Sequence, residues 1–143
     1  MVSKQKKSCL DRIIVLVNYR ERCEKELYDR LVLKEQYSKQ EFLKALKLAK
    51  RYNLVNDNRY AEFYVLDKTS TFHGSYGISK HLEKMNIDYK FKIDDEEEKA
   101  FEYLSTHKPR SKNIFQSSVR KLISRGYSVE ISVAVAKKFI ETI

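Results

Sequence analysis

The sequence predicts an all-α protein made of repeated helical units, and three observations lead to this fold class. Only three glycines and one proline occur in 143 residues, fewer turn residues than a many-stranded β protein needs. Apolar residues recur at steps of three and four along most of the chain. The third observation is that similar short motifs recur along the chain. Because 42% of the residues are hydrophobic, the chain can bury a core despite 34% charged residues.

The clearest helix spans residues 38–52. Its apolar residues follow one helical face, namely Phe42, Ala45, Leu46, Ala49 and Tyr52. Ser38 followed by Glu41 is a capping-box pattern at its start. The opposite face carries Lys44, Lys47 and Arg51, so one side is expected to pack while the other presents charge.

The same periodicity predicts the other helices, at residues 10–19, 24–34, 57–68, 75–85, 95–106, 111–125 and from 128 onwards. Gly126 is expected to end the penultimate helix as a C-terminal cap. The acidic run at residues 94–98 suits a helix N-terminus better than a cation site, because acidic side chains complement the helix dipole there. Alternation of Tyr89, Phe91 and Ile93 indicates a strand or an extended link.

Short landmarks recur along the chain. Apolar residues follow Cys23, Gly74 and Ser111 at plus four and plus eight, and Tyr-Ser pairs occur at residues 37–38 and 127–128. Spacings of four occur in any helix, so coincidence is the alternative. The shared landmarks favour three tandem three-helix repeats at residues 8–52, 53–93 and 94–143, the middle one with a short third helix or an extended link.

The net charge of +9 comes from 29 Lys and Arg against 20 Asp and Glu. A positive field of this size attracts polyanions, so nucleic acid, an acidic protein surface and anionic lipid are all candidates. The alternative is that the chain comes from a lysine-rich proteome, so that its excess of positive charge has no functional meaning. The apolar stretch at residues 13–17 is too short for an export signal or a membrane span, although residues 1–7 are basic, so we expect a cytoplasmic protein.

Patterns typical of catalysis are absent. The sequence has neither a GxxxxGK[ST] phosphate loop nor a GxSxG elbow, and His73, His81 and His107 lack metal-ligand spacing. Cys9 and Cys23 lack CxxC spacing and are expected to be reduced packing residues. We therefore expect that the protein is not an enzyme and that it binds neither a cofactor nor a metal.

Three motifs resemble those of one known family. Residues 54–61 (Leu-Val-Asn-Asp-Asn-Arg-Tyr-Ala) look like a signature of the RecX regulatory proteins, and residues 19–27 (Tyr-Arg-Glu-Arg-Cys-Glu-Lys-Glu-Leu) are similar to a second one. Residues 107–111 (His-Lys-Pro-Arg-Ser) echo the second signature. The resemblance extends from about residue 10 to the end. The chain departs from the family at Cys23, where Ser is usual, at residues 74–78, and in the shortened stretch 86–93.

The resemblance implies an elongated, curved array of three-helix repeats, the middle one shortened. It also implies that the protein binds the RecA filament, lies in its helical groove and restrains strand exchange, ATP hydrolysis and co-protease activity. Some family members bind DNA. The first alternative is a general DNA-binding helical protein without RecA dependence, and the second is an adaptor for another acidic protein. In each case we expect a monomer.

Basic residues are the candidate contacts with RecA or with single- or double-stranded DNA, because a long polyanion or an acidic filament face needs distributed positive charge. The candidates are Arg20, Arg22, Lys44, Lys47, Arg51, Lys80, Lys84, Lys108, Arg110, Lys121 and Arg125. The alternative for any single lysine is that it only increases solubility. Three tyrosines at repeat landmarks, Tyr37, Tyr60 and Tyr127, are expected to be structural rather than base-stacking.

Overall fold

The computed structural model describes residues 6–143, and within them it contains eight α-helices and no β-strand. The prediction of an all-α protein is confirmed. The helices are α1 (Cys9–Tyr19), α2 (Glu24–Tyr28), α3 (Lys39–Arg51), α4 (Asp57–Ser70), α5 (Ser75–Lys84), α6 (Glu96–Thr106), α7 (Ile114–Ser124) and α8 (Val129–Glu141). A π-helical segment, Asp29–Lys34, continues α2. Most of the basic stretch 1–7 lies outside the described residues.

The chain divides into two compact units. In its described part, the first unit comprises residues 6–61 and Met85–Ile87, and the second comprises Glu62–Lys84 and Asp88–Ile143. The predicted three-helix repeats at 8–52, 53–93 and 94–143 do not follow the bounds of these units, because the middle repeat has residues in both, and the repeat division stays a prediction.

The first unit has its core between α1, α2 with its π-helical continuation, and α3. Ile13, Leu27, Leu31 and Phe42 are buried there, together with Ala49. Burial of these apolar side chains holds the three segments together, since none is long enough to be stable alone in water. The start of α3 is capped by the predicted residue: the Ser38 hydroxyl accepts a hydrogen bond from the Glu41 amide at 3.1 Å.

The second unit has a core built from α6, α7 and α8. Leu104, Leu122, Tyr127 and Val135 are almost fully buried, and the rings of Phe101 and Phe139 meet edge-to-face, with centroids 5.9 Å apart. Tyr127 is thus structural as predicted, and so are Tyr37 and Tyr60, which are also buried. The α8 start is capped by Ser128, whose hydroxyl accepts from the Ile131 amide.

Three glycines let two backbone segments of the second unit approach closely. The Gly74 amide donates to the Arg125 carbonyl and the Gly77 amide donates to the Gly126 carbonyl, which joins the start of α5 to the turn after α7. A Cβ on Gly74 would lie 2.5 Å from backbone atoms of Gly126 and Tyr127. Gly126 itself has a φ of 102°, so it ends α7 as predicted.

Three predicted helix boundaries were wrong. The helix predicted at 24–34 is α-helical only as far as Tyr28. The helix predicted from residue 111 begins at Ile114, because Asn113 accepts from the Gln116 amide and caps α7 there. Asp95 precedes α6 with a φ of 57° rather than belonging to it. Of the two alternatives for Tyr89 and Phe91, the strand does not form, and the segment without regular structure agrees with a link.

Candidate binding surfaces

The family-like motifs meet inside the first unit. The Asp57 carboxylate accepts a hydrogen bond of 2.9 Å from the Glu24 amide, at the start of α2. The Arg59 guanidinium donates to the Glu21 carboxylate at 2.8 Å and to the carbonyl of Asn53 at 3.0 Å. These residues of the two signatures therefore connect two stretches of chain to each other, which is a structural role.

Two of the predicted contact residues make similar internal contacts. Arg20 forms two parallel hydrogen bonds to the Glu26 carboxylate, of 3.1 and 2.7 Å, and these bonds raise its pKa. Arg22 donates from its Nε to the carbonyl of Leu16 at 3.1 Å, and burial lowers its pKa. Both guanidinium groups help to hold the α1–α2 connection, so they are less available to a partner than the sequence suggests.

The outer face of α3 carries three more of the predicted residues, Lys44, Lys47 and Arg51, all exposed. Large apolar side chains lie beside them, and one of these, Tyr52, was wrongly predicted to pack on the opposite face. Leu43 is 59% exposed, Leu48 40% and Tyr52 70%, and Leu43 lines a shallow depression with the two lysines. We call this set of six residues the α3 face. It combines positive charge with apolar surface, which is typical of a protein-docking surface.

Two loop residues of the second unit are also exposed, Lys108 and Arg110, between α6 and α7. Lys112 is a third exposed cation in this loop, and it is not among the predicted contact residues. A cavity of about 490 Å³ adjoins the loop, with Lys108, Ile114 and Phe139 among its lining residues. Charge and apolar surface therefore occur together here too.

The remaining predicted residues lie on α5 and α7 of the second unit. Lys80 and Lys84 are exposed on α5, and the Lys80 ammonium lies 5.5 Å from the centre of the Tyr76 ring. Lys121 is half-buried on α7. Arg125, just after α7, stacks over the Tyr103 ring at 4.9 Å and donates to the carbonyl of Thr71.

The structure thus collects Lys44, Lys47 and Arg51 on one helical face and Lys108 with Arg110 in one loop. It also brings Arg125 close to two residues that are not among the predicted contacts, Lys68 and His73. No short sequence signal joins these residues, because they come from separate elements of the second unit. Among the described residues, the structure contains no group of three or more His, Cys, Asp or Glu side chains that could hold a metal ion.

The thiols of Cys9 and Cys23 are both free and fully buried. Burial raises the pKa of each to about 11, so each is protonated near neutral pH. Such thiols are poor nucleophiles and poor metal ligands. None of the described helices combines the length and apolar character needed to cross a membrane.

Comparison with known proteins finds one group of proteins that is similar to most of this chain. No protein-family model matches the chain. It is 28% identical over 144 residues to the regulatory protein RecX of Clostridium beijerinckii, covering 91% of this chain and 67% of the relative. Proteins with the same description from Clostridium perfringens strains SM101 and 13 are each 26% identical over 145 residues, again covering 91% of this chain and 68% of each relative.

Proposed function

We propose that the chain is a RecX-family regulator that binds the RecA–DNA filament and inhibits its recombinase, ATPase and co-protease activities. The observation that carries the proposal is similarity over 91% of the chain to three regulatory proteins. It acts without catalysis, as a cytoplasmic monomer.

The composition of the α3 face supports a filament partner. Lysine and arginine side chains match an acidic surface, whereas exposed Leu43 and Leu48 gain nothing from phosphates and are stabilised by burial against protein. A RecA filament offers protein and DNA phosphates side by side. The loop cations Lys108, Arg110 and Lys112 are suited to the phosphates, because they are exposed and lie in a segment without an acidic residue.

The mechanism that we propose is occupancy of the filament groove. A protein bound across neighbouring RecA protomers opposes the rearrangement that accompanies ATP hydrolysis, since that rearrangement would break its contacts. The same bound protein blocks incoming duplex DNA and protein substrates of the co-protease. Regulation then requires distributed surface contacts and no reacting group.

We also propose that the helices are arranged as three tandem repeats. Two matching contacts support this arrangement. In the first unit, Asp57, the first residue of α4, accepts from the amide of Glu24, the first residue of α2. In the second unit, Glu96, the first residue of α6, accepts from the amide of Ser75, the first residue of α5, at 2.7 Å. In the repeat scheme, each contact joins the second helix of one repeat to the first helix of the next.

The test is RecA ATP hydrolysis and strand exchange on single-stranded DNA with increasing amounts of this protein. We expect both rates to fall to a plateau at saturation, and absence of inhibition at saturating protein would disprove the proposal. The net charge of +9 favours a second candidate, a DNA-binding helical protein without RecA dependence. This candidate predicts equal affinity for bare DNA and for RecA-coated DNA. It also predicts that the logarithm of the binding constant falls with the logarithm of the salt concentration, with a slope of roughly −0.9 per phosphate contact on duplex DNA.

A further inference from the structure

A small cavity in the second unit is lined by three basic side chains from separate elements. Lys68 comes from α4, His73 from the segment between α4 and α5, and Arg125 from the end of α7. The cavity has a volume of about 200 Å³, and Gly77 and Gly126 also line it. No Asp or Glu belongs to its described lining. We propose that this cavity binds a phosphate group.

The Arg125 guanidinium is held in place while one of its donors stays unused. The ring of Tyr103 lies beneath it, and it donates to the Thr71 carbonyl. Its Nε is buried and has no hydrogen-bond partner among the described residues. A buried donor without an acceptor is costly, and a phosphate oxygen is a strong acceptor for a guanidinium.

The surroundings of His73 carry an excess of positive charge, which a bound anion would offset. Burial lowers the pKa of His73, and the positive charges of Arg125 and Lys68 lower it further, against smaller opposing effects of a hydrogen bond with the Lys68 backbone and of the Asp67 charge. The His73 Nδ1 is 2.9 Å from the Thr71 hydroxyl oxygen. A phosphate between these groups would offset their mutual repulsion and favour protonation of the imidazole.

The glycines explain why the space is open. Gly77 and Gly126 pack so closely that a Cβ on Gly77 would lie 2.9 Å from the Gly126 Cα, and neither contributes a side chain to the cavity. Their amides already donate to backbone carbonyls. The donors to the phosphate are therefore the side chains of Lys68, Arg125 and His73.

A purely structural role makes a different prediction. Lys68 lies in the last turn of α4 and Arg125 caps α7, and a cation at a helix C-terminus complements the helix dipole without any ligand. In that case, neutralising Lys68 changes stability but leaves phosphate binding as weak and unspecific as elsewhere on the surface. The two roles are therefore separable by titration.

The first experiment follows the His73 ring resonances of the full chain by NMR while inorganic phosphate is added at constant pH and ionic strength. We expect a saturable one-to-one shift and a rise in the His73 pKa. Lys68→Gln weakens the affinity about tenfold through loss of one charged donor. Lys80→Gln is the matched control, because both ammonium groups lie 5.5 Å from a tyrosine ring in the same unit, and it leaves the affinity unchanged.

A shift that does not saturate, or equal weakening by the two substitutions, would overturn the proposal. The thermal midpoint of each variant shows whether it is folded. The proposal does not depend on the proposed function, since RecA is absent from the titration. In the filament, the phosphate would be that of DNA, and this part rests on the proposed function.

A second measurement identifies the source of the phosphate. For a single-stranded oligonucleotide, Lys68→Gln is expected to reduce the log-log salt slope by about 0.7, the value of one phosphate contact. An unchanged slope together with a positive phosphate titration would support the site with free phosphate as its ligand, and would overturn only its role in DNA binding.

Discussion

The Asp57 carboxylate accepts a hydrogen bond from the amide of Glu24, 33 positions earlier in the chain, at a distance of 2.9 Å. Each residue is the first of its helix, so a side chain of α4 satisfies an amide that α2 cannot satisfy itself. The Cys23 amide is satisfied by Glu26 at 3.0 Å. The start of α2 is therefore capped by carboxylates from two places, although Cys23 stands where the related family usually has serine.

Asp57→Ala is expected to lower the free energy of unfolding of the first unit by about 1 kcal/mol, the usual cost of removing a helix cap. Burial raises the pKa of Asp57, so its ionised form carries a desolvation cost in the folded protein. Asp57→Asn keeps an acceptor oxygen without that charge and is expected to lose less. Urea unfolding and hydrogen exchange of the Glu24 amide measure both effects, and unchanged exchange in the alanine variant would contradict the assignment.

The ion pairs of Glu35 are expected to make the stability of the first unit depend on pH. Arg12 binds its carboxylate through two hydrogen bonds of 2.9 Å, and Arg30 adds one of 3.1 Å. Hydrogen bonds from Arg12 are the main cause that lowers the Glu35 pKa below the ordinary 4.5. Because the pKa of Glu35 is lower in the folded protein, its ionised carboxylate stabilises the fold at pH values above the ordinary carboxyl pKa. This stabilisation is lost as the pH falls through the pKa of the folded state.

Glu35→Gln is accordingly expected to destabilise the first unit by about 1 kcal/mol at pH 7, since these ion pairs are only partly buried. The difference from the unmodified protein should shrink on acidification below the ordinary carboxyl pKa. Urea unfolding at a series of pH values checks this. A gap that stays constant down to pH 2 would show that the carboxylate charge is not responsible.

Most helices of the fold could be predicted from the sequence, because their apolar periodicity and caps are local signals. Ser38 and Ser128 mark helix starts by type alone, and Gly126 marks an end. The π-helical continuation of α2 could not be predicted, because residues 24–34 keep an apolar spacing that suits an α-helix. The start of α7 was placed three residues early because Ser111 and Asn113 are both good caps and only the structure shows which one is used.

The candidate site was less predictable, because charge in a sequence does not show where a side chain lies. Lys44, Lys47 and Arg51 share a helical face by spacing alone, so their grouping was predictable. The internal bonds of Arg20 to Glu26 and of Arg22 to the Leu16 carbonyl depend on how the chain turns between α1 and α2. Leu43 and Leu48 fall outside the predicted packing face of α3, but spacing alone does not show that their side chains stay exposed beside the lysines.

The two cysteines are expected to be unreactive in the folded protein. At neutral pH, a thiol with a pKa of about 11 has at least about 100-fold less thiolate than an ordinary cysteine, and both side chains are fully buried. Alkylation with iodoacetamide followed by peptide mass spectrometry should therefore be slow for Cys9 and Cys23 in buffer. In urea both should react quickly. Rapid labelling of either thiol in the folded chain would disprove its burial.

Gly74→Ala is expected to destabilise the second unit by about 2 kcal/mol, because the new Cβ would overlap backbone atoms that cannot move as a flexible side chain can. The nearest atoms are the Gly126 carbonyl oxygen and the Tyr127 backbone, both at 2.5 Å. Ser79→Ala is the control, since Ser79 is exposed on the same helix. Thermal unfolding measures both variants, and equal midpoints would show that the close approach is not needed.

Neutralising the α3 face is expected to weaken RecA regulation. Lys44→Gln, Lys47→Gln and Arg51→Gln together should raise the concentration for half-maximal inhibition of RecA ATPase about tenfold, at roughly 0.5 kcal/mol for each exposed charge. The matched control removes three exposed lysines outside this face, with Lys90→Gln, Lys92→Gln and Lys137→Gln. Because both variants have the same net charge, equal loss of inhibition would show that only the overall field matters.

Leu43→Ser separates a protein partner from DNA at the same face, because it leaves every charge in place. Leu43 is 59% exposed, so its loss should change the folded state little. If α3 docks on RecA protein, burial of this side chain stabilises the complex, and the serine variant should need several-fold more protein to inhibit RecA ATPase. Its affinity for bare single-stranded DNA should not change, since the phosphate contacts of the face are kept. Parallel ATPase and DNA-binding titrations measure the two quantities, and an equal loss in both would assign the face to DNA instead.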